Sequence, residues 1–226
     1  MKIKARKRRQ GRENKIINQA LRSALPTDQR LDRVVFREPE LPTGVPDVVI
    51  SYPSRTEFAF NTARSNLTAD HLRVLTQLIA ARRMRIDSLA ETLSWSNGAM
   101  VKILNDLQEA RLVHVRGEFV APKRLSEIFI LRRIVAIEGK VKDWKKGLEQ
   151  AKANTWFASQ SYILVPSRLK APDLVTRARK LGVGVLASDA GGVKLLVESQ
   201  KIAIPSSFGS WLVNEWTIRR LSKKPS

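Results

Sequence analysis

The chain changes its charge near residues 37 and 122 and its hydrophobic rhythm near 67 and 122, and this partition is its strongest constraint. Residues 1–37 hold twelve Lys or Arg against three Asp or Glu, a net of +9. Residues 38–66 carry a net of −2, residues 67–122 a net of +1 and residues 123–226 a net of +12. A nearly neutral block thus sits between two strongly basic flanks. Within the block, apolar residues recur at helical spacing: Leu72, Leu75, Leu78 and Ile79 after Thr68, then Leu89, Ala90 and Leu93 after Asp87. Thr68 and Asp87 are of the type that caps helix N-termini. A turn at Ser94-Trp95-Ser96 precedes a third helical pattern of Met100, Ile103, Leu104 and Leu107, and Leu112–Val120 predicts a hairpin turning at Arg116-Gly117.

The flanks follow a different pattern. Ile16, Ile17, Ala20, Leu21 and Ala24 predict a helix over 12–25, ended by Pro26. Strands are predicted at 31–36 and 47–52, separated by Pro39, Pro42, Gly44 and Pro46, with a further strand near Glu57–Phe60. After Pro122, Ile134–Ile137 predicts a strand continuing through Val141. A long helix follows from Asp143 to about Ser159, its apolar face Trp144, Leu148, Ala151 and Ala158. A strand at Tyr162–Val165, a helix at 173–180 and a hairpin through Asp189–Gly192 complete the pattern. This alternation predicts an α/β protein with a mixed central sheet flanked by helices. The predicted organisation is a basic flexible tail over 1–11, a discontinuous core of 12–66 and 123–226, and a small domain of 67–122 inserted in it. Trp95, Trp144, Trp156 and Phe157 read as core residues, and His114 as structural or solvent-facing.

Composition narrows the function. Lys and Arg number 41 against 21 Asp and Glu, a net charge of +20, which points to a polyanion: nucleic acid first, an anionic membrane surface second. The 43% hydrophobic content excludes a wholly disordered chain. No apolar run is long enough to span a bilayer and the first residues lack the apolar segment of a signal peptide, so the expected location is cytoplasmic, nucleoid-associated in a bacterium. The absence of Cys excludes disulfides, thiolate zinc sites and cysteine nucleophiles, and two His argue against a His-rich metal site or a Ser-His hydrolase. Aromatics at 6% disfavour single-strand recognition by base stacking.

Pro46-Asp47 opens one predicted strand, Glu138-Gly139-Lys140 closes another, and Gln150 lies on the helix that follows. In an extended Glu-x-Lys, Glu138 and Lys140 share one face and Gly139 faces the other way. Carboxylates are hard oxygen ligands for Mg²⁺ or Mn²⁺, the metals that phosphodiester hydrolysis uses. The arrangement resembles the PD-(D/E)xK nuclease superfamily, whose core is the restriction-endonuclease-like fold. Block 67–122 resembles a winged helix-turn-helix in element order and spacing. The resemblance implies that Asp47, Glu138 and the Gly139 carbonyl bind the metal, that Lys140 positions or activates the attacking water, and that Gln150 supports the site. Glu13, Glu38 and Glu40 are candidates for an additional acidic ligand. Asp47 and Glu138 lie 91 positions apart, farther than the family usually has; removing the 56-residue block leaves 35. The same residues also fit plainer roles: Asp47 as a turn cap, Glu138 and Lys140 as a solvated strand end, and Gln150 with Lys146 and Asn154 on a solvated helix face.

The implied function is metal-dependent endonuclease action on duplex DNA, in restriction, phage defence or DNA processing, by a homodimer or a larger nucleoprotein complex. Lys4, Arg6, Lys7, Arg8, Arg9, Arg12 and Lys146 are expected on phosphates, and Asn97 and Lys102 on base edges. Two other readings stay open: a non-catalytic DNA-binding regulator or assembly factor on a degenerate nuclease core, and an RNA-binding component. The charge partition generates a measurable expectation. Deleting residues 1–15 removes eight basic residues. With half of them on phosphates, the slope of log affinity against log salt on duplex DNA falls by about 3–4, while deleting 68–121 changes it little. Anisotropy titrations across a salt series measure both.

Overall fold

The computed structural model describes residues 11–22, 32–54 and 61–222. In chain order the elements are α1 (Arg12–Arg22), β1 (Val34–Arg37), β2 (Val48–Pro53), α2 (Ala69–Ala81), β3 (Met84–Arg85), α3 (Ile86–Thr92), α4 (Asn97–Glu109), β4 (Val113–Arg116), β5 (Phe119–Pro122), α5 (Leu125–Ile128), β6 (Leu131–Gly139), α6 (Trp144–Asn154), β7 (Gln160–Pro166), α7 (Leu174–Lys180), β8 (Gly184–Asp189), β9 (Gly192–Val197) and α8 (Phe208–Leu221). The chain divides into two compact units, one reaching to Pro53 and resuming over Arg132–Pro205, the other formed by Ser54–Leu131 and the chain from Ser206 onward.

The first unit is α/β. Its mixed six-stranded sheet has the order β1-β2-β6-β7-β8-β9. β6, β7 and β8 run parallel, while β1 pairs antiparallel with β2 and β9 with β8. Every residue of β2 is buried, as expected of a strand covered on both faces. Alternation sorts the apolar residues between those faces. Ile17 and Ala20 of α1 pack with Val48, Ile50, Val135, Ile137, Tyr162 and Leu164. Leu148 and Ala151 of α6 and Leu174 and Ala178 of α7 pack with Ile163, Val165, Val183 and Val185. Helices therefore flank both faces, and β2 and β6, neighbours in the sheet, are separated in the chain by the whole of Ser54–Leu131.

The second unit holds α2–α5, the three-stranded antiparallel sheet β3-β5-β4 and α8. Its apolar centre includes Leu72, Leu75 and Leu78 of α2, Leu89 of α3, and Met100 and Leu104 of α4. α8 is buried from Gly209 through Ile218, so it lacks the one-sided apolar stripe that marks a surface helix. Its polar residues are matched internally. Glu215 pairs with Arg64 of the 3₁₀ turn Thr62–Asn66, with Arg64 Nε donating to Glu215 Oε2 at 3.1 Å, and both are almost inaccessible. Arg64 Nη2 also donates to the Ile128 carbonyl at 2.9 Å, and Asn214 Oδ1 accepts from the Ile130 N–H at 2.9 Å. In contrast with the expected boundaries at 67 and 122, residues 61–66, 123–131 and 206–222 cluster with this unit.

Other differences are local. The predicted strand near Glu57–Phe60 and the tail over residues 1–10 lie outside the described residues. The long helix ends at Asn154, and Trp156 beyond it is 72% exposed instead of being core; Phe157 is buried as expected. No described helix is long and apolar enough to cross a membrane. The Arg64–Glu215 pair yields a stability test. Glu215→Ala leaves a buried guanidinium uncompensated and should cost about 3–5 kcal/mol, whereas Arg64→Met with Glu215→Leu should cost much less. Urea denaturation of the three proteins checks the order.

Candidate functional site

The carboxyl ends of the parallel strands β6, β7 and β8 share one edge of the sheet, and the motif residues gather at the end of β6. Asp47, just before β2, accepts the Gly139 N–H through Oδ2 at 2.7 Å, which sets the start of β2 beside the end of β6. Ile137 packs on the α1 side, so strand alternation turns Glu138 toward α6. There Glu138 is 2% exposed and its Oε1 accepts from Asn154 Nδ2 at 2.8 Å. Two residues on, Lys140 lies on the same side. Its stem crosses Gly147 of α6, where a Cβ would come within 2.3 Å of Lys140 Cγ. Gly139 faces α1, where a Cβ would meet Ile17 Cδ1 at 3.0 Å. Two glycines thus permit the two close approaches that fix this corner.

These side chains line a cavity of about 690 Å³ within the α/β unit. Glu13, Glu38, Asp47 and Glu138 contribute carboxylates, with Lys140 and Gln150 beside them. Arg12, Arg37, Lys142 and Lys146 add positive charge to its walls. Lys140 Nζ stands 4.0 Å from Glu13 Oε2, its side chain only 13% exposed. Two buried oxygens of the lining, Glu38 Oε2 and Gln150 Oε1, have no hydrogen-bond partner. Glu38 also holds a left-handed backbone, φ +47°, while its N–H donates to the Asp47 carbonyl at 3.0 Å. A non-glycine residue there stores strain, a feature that gathers at functional sites.

The electrostatics follow from this crowding. Burial, then the charge of Asp47, pushes the Glu138 carboxyl up to about 8, against the hydrogen bond from Asn154 and the attraction of Lys140. Burial likewise raises Asp47, opposed by the Gly139 N–H and Lys140 and aided by Glu13 and Glu38. Buried carboxylates that repel one another, with unpartnered oxygens beside them, form a donor set that suits a hard divalent cation. Among the described residues, no three His, Cys, Asp or Glu side chains form a metal-holding group by themselves. Mg²⁺ fits such a site, because it takes one or two carboxylates and fills its remaining positions with water or phosphate oxygens.

Of the residues singled out from sequence, Asp47, Glu138, Lys140, Gln150, Arg12 and Lys146 line this one cavity, and Gly139 lies against it through its bond to Asp47. Glu13 and Glu38 line it too, whereas Glu40 is exposed and does not. Asn97 and Lys102 are exposed on α4 of the other unit. Lys4, Arg6, Lys7, Arg8 and Arg9 lie outside the described residues. Asn154 departs from its expected solvated place: it is 3% exposed and serves Glu138. Its spacing gave the signal, since Asn154 follows Gln150 by four residues and so lies on the same helix face. No protein-family model matches the chain, and comparison with curated proteins and with solved structures finds no match.

The raised Glu138 carboxyl gives a pH dependence whose sign is fixed. The folded, metal-free protein holds this proton up to about 8, while the unfolded chain releases it near the ordinary 4.5. The resulting stability is present below the ordinary value and is lost as pH rises through about 8, with Asp47 acting in the same direction. Thermal melts in EDTA should show Tm falling between pH 5 and pH 8.5. Glu138→Gln should flatten that profile, and added Mg²⁺ should stabilise the wild type more at pH 8.5 than at pH 6.

Proposed function

We propose that this protein is a metal-dependent nuclease of the PD-(D/E)xK type acting on duplex DNA. In this reading the α/β unit is a restriction-endonuclease-like core and the other unit contains a winged helix-turn-helix. The observation that carries the proposal is the convergence of Asp47, Glu138 and Lys140 from two neighbouring strands into one cavity with two unpartnered oxygens. The net charge of +20 supports a polyanionic substrate.

Each residue has a task in this reading. Asp47 and Glu138 would hold the ion, with the Gly139 carbonyl and Gln150 Oε1 as further oxygens, and Mg²⁺ or Mn²⁺ would supply neutralisation of phosphate charge and a more acidic water. The Gly139 N–H holds one oxygen of Asp47 and Asn154 holds one of Glu138, so each carboxylate is oriented before any ion arrives. Lys140, its stem laid along Gly147, keeps its ammonium in the cavity to donate to a phosphate oxygen or to hold the attacking water. Arg12, Arg37, Lys142 and Lys146 oppose the charge of the approaching backbone. In the other unit, Asn97 and Lys102 of α4, both exposed, would meet base edges.

Incubation with plasmid, linear duplex and RNA in Mg²⁺, Mn²⁺ or EDTA tests the reading. The expected result is cleavage of duplex DNA that requires a divalent ion. Asp47→Asn, Glu138→Gln and Lys140→Ala should each lower it by about 100-fold or more. Binding should change little in Lys140→Ala, which removes one charge among 41. Tight binding with no cleavage under any of these conditions would sink the enzymatic reading and favour a non-catalytic DNA-binding protein; preference for RNA would favour the RNA-binding one.

A further inference from the structure

A second cavity, of about 390 Å³, lies on the far side of α1 and is lined by Lys15, Asn18, Gln19, Arg22 and the β8–β9 turn at Ala190–Gly192. The helix divides the two spaces by its periodicity. Glu13, Asn14 and Ile17 look into the carboxylate cavity, while Lys15, Asn18, Gln19 and Arg22 turn away from it. Both cavities belong to the α/β unit.

The second cavity is built rather than incidental. Gln19 clamps α1 to the end of β8: its Oε1 accepts from Ser188 Oγ at 2.8 Å and its Nε2 donates to the Asp189 carbonyl. The turn is held from within, because Asp189 Oδ1 accepts the Gly191 N–H at 2.9 Å while its other oxygen lies 3.7 Å from Lys194 Nζ. Gly192 holds φ +130°, which a side chain would strain, so backbone comes to the cavity edge at that point. Asn18 Oδ1 accepts from Arg37 Nη1 at 2.6 Å, and Arg37 lines the carboxylate cavity, so one hydrogen bond links the two linings. No described acidic side chain lines the second cavity, and among the described residues neither Lys15 nor Arg22 is ion-paired. Two cations beside an amide and a glycine turn, with no carboxylate in the lining, match an anion of phosphate size.

We propose that this cavity binds a backbone phosphate of the nucleic acid, flanking the phosphodiester held at the carboxylates. The assignment rests on the nuclease reading for its ligand but concerns a different site. The two cavities stand about one helix diameter apart, roughly 10–12 Å. Phosphates on one strand recur about every 3.4 Å along the duplex axis and farther apart along the winding backbone, so the second phosphate belongs to the same strand, within a few nucleotides of the first. The bond from Arg37 to Asn18 places these contacts in one continuous positive track beside a negatively charged centre. The site fixes where the strand runs over α1, which the carboxylates alone leave undetermined.

The test is anisotropy with a 30-base-pair duplex over a salt series in EDTA, so that cleavage does not intervene. Lys15→Ala with Arg22→Ala should lower the slope of log affinity against log salt by about 1–2 units. The control pair is Arg179→Ala with Lys180→Ala. It removes the same charge at or beside the end of α7, which leads into the start of β8 and so to the opposite edge of the sheet. It should lower the slope by less. Arg22→Gln alone, at an exposed helix end, repeats the measurement with minimal disturbance and should lower the slope by about half as much. Equal slopes for wild type and the Lys15/Arg22 pair, or an equal drop in the control, overturn the second site while leaving the nuclease reading standing. A wild-type protein that binds the duplex without salt dependence overturns both.

Discussion

A single hydrogen bond, from the Gly139 N–H to Asp47 Oδ2, joins residues 92 positions apart and holds the candidate site together. Asp47 precedes β2 and Gly139 ends β6, and these strands meet in the sheet only after the chain has built most of another unit between them. The bond costs the carboxylate part of its hydration, which burial has already made expensive. It returns a fixed orientation. Because Gly139 lies between Glu138 and Lys140, the same contact that seats Asp47 also sets the two side chains on the α6 side of the sheet.

Glu138 shows what that arrangement demands of its surroundings. An acidic side chain at 2% exposure is a local conflict that a stability-only sequence would replace with an apolar residue. The structure answers with one neutral donor, Asn154, and with a lysine whose stem is admitted by a glycine. Neither neutralises the site fully, and Glu38 adds both a carboxylate and a strained backbone. The corner is therefore assembled against its own electrostatics, and the packing of Ile17 on one side and α6 on the other supplies the rigidity.

Much of this was legible in the residues. Period-two alternation placed Glu138 and Lys140 on one face, and runs of β-branched residues between Gly and Pro placed the strands. The glycine-rich turn of the β8–β9 hairpin was explicit. What escaped has physical causes. α8 is buried on all sides and carries matched polar groups, so no one-sided apolar pattern marks it. The unit boundary near Arg64 depends on a charge partner 151 positions away, which periodicity cannot register. Trp156 reads as core by residue type, but α6 stops two residues before it and leaves the ring outside.

The pairing of Arg64 with Glu215 bears on the order in which the chain can finish itself as it is made. α8 follows every other described element, yet it completes a unit whose remaining parts come from Ser54–Leu131. While the ribosome is still adding the strands of the α/β unit, Arg64 has no Glu215 to meet. The earlier unit must wait, open and with its guanidinium hydrated, until the later one has been synthesised. Domains that fold strictly in turn as they emerge do not have this dependence. Here the unit that starts at Ser54 closes only after the strands of the α/β unit have been made.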